Sequence, residues 1–295
     1  MRFFTLFAAL FGLFLAACSP TGRSTAGPQS VAFPHIHGLG FSADGTSLSV
    51  PAHDGLLVFA NGSWQVPDVP ANDYMGYTTT DNGFYSSGHP GSGSNLPNPL
   101  GLVKSDDGGQ TLEILAFESE SDFHLLGVGY ENHAIYVVNS APNSKLMQGL
   151  FYSLDEGQTW NQSQVQGLNK APIQIAVHPT NESAIAIATE SGLYLSSDHG
   201  NTFALIGEAV PVSAITFHPK GQYLLFGYHS LTMYDLTESM TETITTPTIA
   251  EADAISYIAI NPASDEIAFA TFNKDIYLSQ ANRQSWQKIA VQGAG

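Results

Sequence analysis

Five histidines are the residues of this chain best suited to chemistry: His35, His37, His53, His89 and His124. His35 and His37 are two positions apart, so their rings point to the same side if this segment is a β-strand. Neutral imidazole is a good ligand for copper and zinc. The five residues therefore predict a transition-metal site, for copper or zinc, if the fold brings them together.

A structural role is the alternative for the same side chains. At a polar channel mouth, imidazoles hydrogen-bond to one another, to water and to carboxylates such as those of Asp54 and Asp122. Six of the ten histidines, the five above and His229, are expected on one face, which makes the two interpretations about equally supported. Met75 and Met147 would add soft sulfur ligands for Cu(I).

Carboxylates expected near these histidines suggest a second chemistry. A glycosidase needs two carboxyl groups flanking the scissile bond, and the candidates are Asp54, Asp73 and Asp122. Tyr74 and Tyr77 could stack on sugar rings. The spacing selects no pair, so a glycan-binding or glycoside-hydrolase role is the alternative function, and whether the protein is an enzyme stays open.

A repeated phrase, Ser-x-Asp-x-Gly-x-Thr followed by an apolar residue, marks the elements that must position these side chains. Complete copies begin at Ser105, Ser153 and Ser196, and a worn copy without the Asp and the Gly begins at Ser279. The Asp can accept hydrogen bonds from backbone N–H groups of its own turn, and the Gly allows a left-handed backbone. The copies recur at about one propeller blade, so each is predicted to be a structural turn.

This phrase resembles the Asp-box, or BNR repeat, of sialidases, sortilin-type domains and photosystem-assembly propellers. The resemblance implies a turn between the third and fourth strands of a blade, and it implies a fold rather than a reaction. Sialidases resemble one another in binding the substrate carboxylate with three arginines. This chain has only Arg2, Arg23 and Arg283, which lie in the predicted signal peptide, the tether and a turn, so a sialidase is excluded.

Six repeats of short apolar strands predict an all-β, six-bladed β-propeller. Seven blades are the alternative, because the stretch from Thr237 to Asp253 could hold another hairpin. Strands of a blade alternate in direction, so the starts of first strands and the loops after second strands share one face. The five histidines fall there, with two long loops typical of a wall around a site, Ser86 to Pro99 and Asn139 to Gln148.

Three segments resemble those of an uncharacterised group of bacterial exported propellers often labelled glycosyl hydrolase: His35–Phe41, Phe84–Pro90 and Leu96–Leu102. The resemblance extends over the whole mature chain. It implies the propeller and no established activity.

The N-terminus predicts export and a lipid anchor. Residues 1–17 form a short positive start and an apolar run of signal-peptide length. They end in Leu15-Ala16-Ala17-Cys18, which matches a bacterial lipobox, and Cys18 is the only cysteine. We therefore expect a lipoprotein signal peptide (1–17), a lipidated Cys18 on a flexible tether (18–30) and a propeller domain (31–295). The protein would be attached to the bacterial cell envelope, facing the periplasm or the cell surface.

The formal net charge of −17 limits the partners. An acidic surface repels nucleic acid and anionic lipid headgroups, so we expect no nucleic acid and membrane contact only through the lipid on Cys18. Cationic ligands suit such a surface. A protein partner gripped at the histidine-rich face, as by an assembly scaffold, is a third function that the sequence allows.

Overall fold

A computed structural model describes residues 31–280, 283 and 285–295 of the chain. These residues form 24 β-strands and no helix. Blades 1 to 3 comprise β1 (Gly40–Phe41), β2 (Ser47–Ala52), β3 (Gly55–Ala60), β4 (Ser63–Gln65); β5 (Asp73–Thr80), β6 (Gly83–His89), β7 (Leu102–Ser105), β8 (Glu113–Ala116); β9 (Leu126–Val128), β10 (Ile135–Asn139), β11 (Gly149–Ser153) and β12 (Asn161–Gln162). Blades 4 to 6 comprise β13 (Gln174–Val177), β14 (Ile185–Thr189), β15 (Gly192–Ser196), β16 (Ala204–Ile206); β17 (Ala214–Phe217), β18 (Tyr223–Gly227), β19 (Leu231–Asp235), β20 (Thr241–Ile244); β21 (Ile255–Ile260), β22 (Ile267–Thr271), β23 (Ile276–Ser279) and β24 (Trp286–Ala290).

The strands form six four-stranded sheets, each made of four consecutive antiparallel strands. The first strands of successive blades contact one another around the centre, and β21 contacts β1, so the ring is closed. This confirms the predicted six-bladed propeller. The alternative with a seventh blade is wrong, because the stretch from Thr237 to Asp253 contains β20 as its single strand.

Each blade packs against a neighbour on both of its faces, which explains the continuous apolar runs. In β14, all five residues from Ile185 to Thr189 are buried, with no alternation. Side chains of adjacent blades form shared clusters; one joins Tyr85 and Leu102 of blade 2 to Val137 of blade 3. The core therefore lies between blades, and the inner strands are left to line the central channel.

The repeated phrase forms a closed hydrogen-bonded turn between the third and fourth strands. The Asp155 carboxylate accepts the Thr159 backbone N–H at 2.8 Å and the Thr159 hydroxyl at 2.7 Å. The Ser153 hydroxyl oxygen accepts the Gly157 N–H at 2.8 Å, and Gly157 has a φ of 86°, which favours glycine. The same bonds recur in two other turns, those of Asp107 and Asp198. The worn copy lies partly outside the described residues.

The apolar residue that ends each phrase packs between blades. The Trp160 ring lies 5.4 Å from the Phe117 ring of the preceding blade. Phe203 is buried in the cluster shared by blades 3 and 4. These turns are therefore structural, and they lie at the end of the propeller opposite the predicted site.

Two contacts join the first and the last blade. Backbone N–H groups of Val31 and Phe33 donate to the carbonyls of Gly295 and Gly293, at 3.2 and 2.7 Å. Trp64 of β4 donates its indole N–H to the Ile289 carbonyl of β24 at 2.6 Å, and its ring packs against Phe33.

The predicted signal peptide, Cys18 and the tether lie outside the described residues. In the described part of the chain, no helix has the length and apolar character needed to cross a bilayer.

We predict that Trp64→Phe lowers the free energy of unfolding by about 1–2 kcal/mol, because the buried Ile289 carbonyl loses its donor. Urea unfolding followed by circular dichroism measures this. Trp160→Phe is the matched control: its indole N–H donates to Gly157 within its own turn, at 2.9 Å, where water can replace it. Equal losses in the two variants would contradict a special role for the contact between blades 1 and 6.

Candidate functional site

The central channel opens on the face predicted from the histidines, which we call the mouth. Inner-strand residues of all six blades line a cavity of about 320 Å³, with His37 and His124 at the mouth. In the described part of the chain, no Asp, Glu, Lys or Arg lines this cavity. The charged and titratable groups of the mouth therefore lie above an uncharged channel.

His37, His53 and Asp73 form a first His–Asp group at the mouth. One ligand atom from each lies within 4.8 Å of the other two. His53 Nδ1 is 2.8 Å from Asp73 Oδ2, and His37 Nε2 is 3.8 Å from Asp73 Oδ1. The His35 ring lies 4.6 Å from the His53 ring, at the exposed side of the group.

Backbone structure holds the three members of the first group. The His37 N–H donates to the Pro51 carbonyl at 3.0 Å, which ties the entry of blade 1 to β2. His53 lies in the tight turn between β2 and β3, and Asp73 is the first residue of β5. Two adjacent blades therefore build the group, and its geometry depends on how they pack.

Two polar atoms of this group are buried and unpaired. His37 Nε2 and Asp73 Oδ1 have no hydrogen-bond partner among the described residues. Their separation of 3.8 Å exceeds hydrogen-bond range. Buried polar atoms nearly always have a partner, and each exception needs an explanation such as an ion or a water molecule.

Burial lowers the pKa of His37 from its ordinary value of 6.5, and the neighbouring His53 lowers it further. Asp73 opposes this shift, because a carboxylate favours the imidazolium. The His37 ring is therefore neutral at pH 7. A neutral ring offers a lone pair, which is what a metal ligand requires.

His89, Asp122 and His124 form a second His–Asp group beside the first. His124 Nε2 lies 2.7 Å and His89 Nε2 lies 3.3 Å from Asp122 Oδ2. His89 Nδ1 is 2.7 Å from Asn98 Oδ1, in the long loop that follows β6. Asp73 and His89 are directly paired across β5 and β6, so the two groups are neighbours.

The five predicted histidines thus share the mouth but divide between two carboxylates. His37 and His53 lie beside Asp73, with His35 against His53, whereas His89 and His124 lie beside Asp122. The sequence did not indicate this division, because strand positions do not reveal which carboxylate a ring meets across a blade boundary. Asn98 was not singled out by sequence reasoning; its place in a long loop beside His89 was the available signal.

Other residues considered from the sequence have different positions. Asp54 is exposed in the turn after β2. Met75 is buried, and Met147 is 65% exposed. The expectation that Tyr74 and Tyr77 stack on a sugar is wrong, because both are buried and pack against Phe84 on the neighbouring strand of the same blade.

On the side of blades 4 to 6, the mouth carries exposed apolar and aromatic side chains, which sequence reasoning did not single out. Ile173 and Phe272 line the cavity and are exposed, Phe272 by 61%. The exposed Tyr228 ring lies 4.3 Å from the ring of His229, its neighbour in the chain. His229 is exposed on blade 5 and belongs to neither His–Asp group. The mouth thus has a polar half and an apolar half.

The remaining histidines have structural contacts near the opposite end. His133 Nε2 lies 2.8 Å from Asp81, and its Nδ1 lies 2.9 Å from the Tyr85 hydroxyl. His218 Nε2 lies 3.0 Å from Asp265. His199 stacks on Tyr152.

Comparisons with known proteins support the propeller fold but show nothing about the chemistry of the mouth. No family model matches the sequence, and no curated protein matches it. Among solved structures, a GH74 enzyme of Niastella koreensis is 14% identical with a TM-score of 0.58, covering 88% of this chain and 45% of its own. The GH74 xyloglucanase of Xanthomonas campestris is 12% identical with a TM-score of 0.54, covering 89% and 47%.

The extracellular domain of a putative one-component system of B. thetaiotaomicron is also similar in structure. It is 12% identical with a TM-score of 0.53, over 88% of this chain and 34% of that one. This chain therefore spans less than half of each of these three proteins. At such identity the similarity shows the propeller fold alone.

We predict that His37 titrates below pH 6.5 in chelator-treated protein, because burial disfavours its charged form. The unfolded chain, with the ordinary pKa, takes up this proton first, so the His37 contribution to stability is complete above pH 6.5 and is lost as the pH falls below it. Asp73→Asn removes the carboxylate that raises the pKa and should shift the midpoint further down. NMR of the histidine rings against pH, assigned with His37→Gln, measures this. A midpoint above 6.5 would contradict the prediction.

Proposed function

We propose that this protein binds a transition-metal ion, zinc or copper, at the mouth of its propeller. The first His–Asp group supplies the ligands: His37, His53 and Asp73. The observation that supports this most is the facing pair of buried, unpaired atoms, His37 Nε2 and Asp73 Oδ1. An ion between them would satisfy both at once.

The distances suit a metal after small side-chain rotations. Zinc lies about 2.0–2.2 Å from nitrogen and carboxylate ligands, so two ligand atoms of a tetrahedral site are roughly 3.4 Å apart. His37 Nε2 and Asp73 Oδ1 are 3.8 Å apart. His53 Nδ1 lies at hydrogen-bond distance from Asp73 Oδ2, so its N–H donates to the carboxylate and orients it. The other ring nitrogen, Nε2, is then the atom that would bind an ion.

The donor set favours Zn(II) or Cu(II) over Cu(I). Two imidazoles and a carboxylate are borderline to hard ligands, whereas Cu(I) prefers sulfur. Met147 is 65% exposed, so its own thioether is not held in a fixed position. His35, next to His53, is the candidate for a fourth ligand.

We further propose that Cys18 carries a lipid, so that this site operates in the bacterial cell envelope. An anchor on a short tether keeps the propeller near the membrane without contact by its acidic surface. The envelope setting fits a role in binding or transferring metal ions, without requiring catalysis.

Glycan binding at the apolar half of the mouth is the second candidate function. Exposed Phe272 and Tyr228 offer aromatic faces at the same mouth as the carboxylates of the polar half. The similar structures include a xyloglucanase and another GH74 enzyme, which favours testing plant-type glucans first. Asp54, Asp73 and Asp122 are the carboxylates that such a function would use.

We predict that the first His–Asp group of the chelator-stripped protein binds one equivalent of Zn(II) or Cu(II), measured by isothermal titration calorimetry. His37→Ala and Asp73→Asn should weaken this binding by more than the ~10–100-fold that loss of an outer-shell partner costs. His229→Ala is the matched control, because His229 is exposed at the mouth but outside both His–Asp groups. Affinity no tighter than micromolar, or equal losses in the control, would refute the metal site.

For the second candidate, we predict that Phe272→Ala abolishes binding to any glucan that the protein retains on a glycan array, while metal content stays unchanged. Leu205→Ala serves as the control, since Leu205 is also exposed but lies in β16 at the outer edge of blade 4. Absence of glycan binding by the unaltered protein would eliminate this function.

A further inference from the structure

We propose that the mouth holds a second, separate metal ion, bound by His89 and Asp122. This inference goes beyond the site of His37, His53 and Asp73, because it uses a different carboxylate and a different pair of blades. The atoms that support it lie on β6 and on the segment that enters blade 3.

The hydrogen bonding of His89 leaves two acceptor atoms facing each other, His89 Nε2 and Asp122 Oδ2. Its Nδ1 lies 2.7 Å from Asn98 Oδ1, a carbonyl oxygen, so Nδ1 carries the proton and donates it. In the neutral ring, Nε2 then presents a lone pair, and Nε2 lies 3.3 Å from Asp122 Oδ2. Two lone pairs repel each other at this distance unless a cation or a proton lies between them.

The contact with Asn98 is the kind of support that metal-bound histidines usually have. Such a histidine donates its second N–H to a carbonyl or carboxylate, which sets the tautomer and directs the other nitrogen to the ion. Asn98 does this for His89, and the Leu100 N–H donates to the Gly88 carbonyl at 2.8 Å, which returns the loop to β6. The direction of the His89 ring is therefore built into the hairpin.

Asp122 has spare ligand capacity. Its side chain is 16% exposed, and Oδ1 is buried without a hydrogen-bond partner among the described residues. Oδ2 is shared by His124 Nε2 at 2.7 Å and His89 Nε2. An ion between His89 Nε2 and Asp122 Oδ2 would remove the lone-pair repulsion, and binding through both carboxylate oxygens would also satisfy the unpaired Oδ1.

Asp122 is anchored to the same strand that carries His89. The next residue, Phe123, donates its N–H to the Ser87 hydroxyl oxygen at 2.8 Å, and that hydroxyl donates to the Gly101 carbonyl at 2.6 Å. Both bonds are buried. Ser87 thus connects β6, the end of the long loop and the entry of blade 3, so the two ligands keep their separation.

His124 acts as a positioning residue in this site. Its Nε2 donates to Asp122 Oδ2, which orients the carboxylate, while Oδ1 has no hydrogen-bond partner among the described residues. The ring is exposed, so it leaves an open side through which ion and solvent exchange.

The stoichiometry of Zn(II) and Co(II) binding to the purified, chelator-stripped protein tests this proposal. We expect two equivalents for the unaltered protein, one for His89→Ala, one for His53→Ala and none for the double variant. His229→Ala should retain two. Thermal unfolding of each variant verifies that it is folded, and the Co(II) absorption spectrum reports nitrogen and oxygen ligation at each site.

The outcomes separate this site from the first. One equivalent that His53→Ala abolishes and His89→Ala does not would overturn the second site and leave the proposed function standing. One equivalent with the opposite dependence would support the second site alone. A His89 ring that NMR shows to be protonated at pH 7 in the presence of excess Zn(II) would overturn the second site, because the proton then replaces the ion.

Variants at position 98 provide an independent readout. Asn98→Ala should weaken only the second equivalent, by about 10–100-fold, because His89 loses the partner that sets its tautomer. Asn98→Asp should restore the affinity, since a carboxylate accepts the same N–H. Equal affinities for Asn98→Ala and the unaltered protein would overturn the role assigned to His89.

Discussion

Closure of the ring of six blades is the constraint on which the site depends. Neither His–Asp group lies within one blade: His37 and His53 meet Asp73 across the boundary of blades 1 and 2, and His89 meets Asp122 across the boundary of blades 2 and 3. Blade positions are fixed by the packing between their faces and by the joining of the first blade to the last through Trp64 and Ile289. A loss of packing between blades would therefore separate the ligands even if each four-stranded sheet stayed intact.

The polar half of the mouth balances two opposing effects. Burial makes the charged form of His37 unfavourable, while the Asp73 carboxylate favours it, and burial is the larger effect. The result is a neutral ring beside an acceptor oxygen, with neither atom paired. Proteins rarely leave such groups unpaired unless the cost is recovered in function, and the concentration of these atoms at the mouth suggests that it is recovered there.

The fold could be predicted because its turn sequence repeats from blade to blade, whereas the partners of the histidines follow no repeat and could not be predicted. The phrase beginning at Ser105, Ser153 and Ser196 recurs at blade intervals, and each copy forms its turn with local bonds, so blade count and the face of the histidines followed from the sequence. The partners of those histidines are set by long-range packing. Nothing in the spacing of His89 indicated that its ring would meet Asn98 nine residues later and Asp122 on the next blade. Tyr74 was misjudged because its ring is buried in a cluster that joins Phe84 of its own blade to Leu56 of blade 1.

The wall of the central channel, uncharged in the described part of the chain, separates two chemically different ends of the propeller. Between the mouth and the opposite end, the wall offers hydroxyl, amide and aliphatic side chains and, among the described residues, no fixed opposite charge that would stabilise an ion. On the proposed function, ions would therefore enter and leave through the mouth itself. The opposite face carries the three closed turns, so the structural turns and the proposed ligands lie at different ends of the propeller.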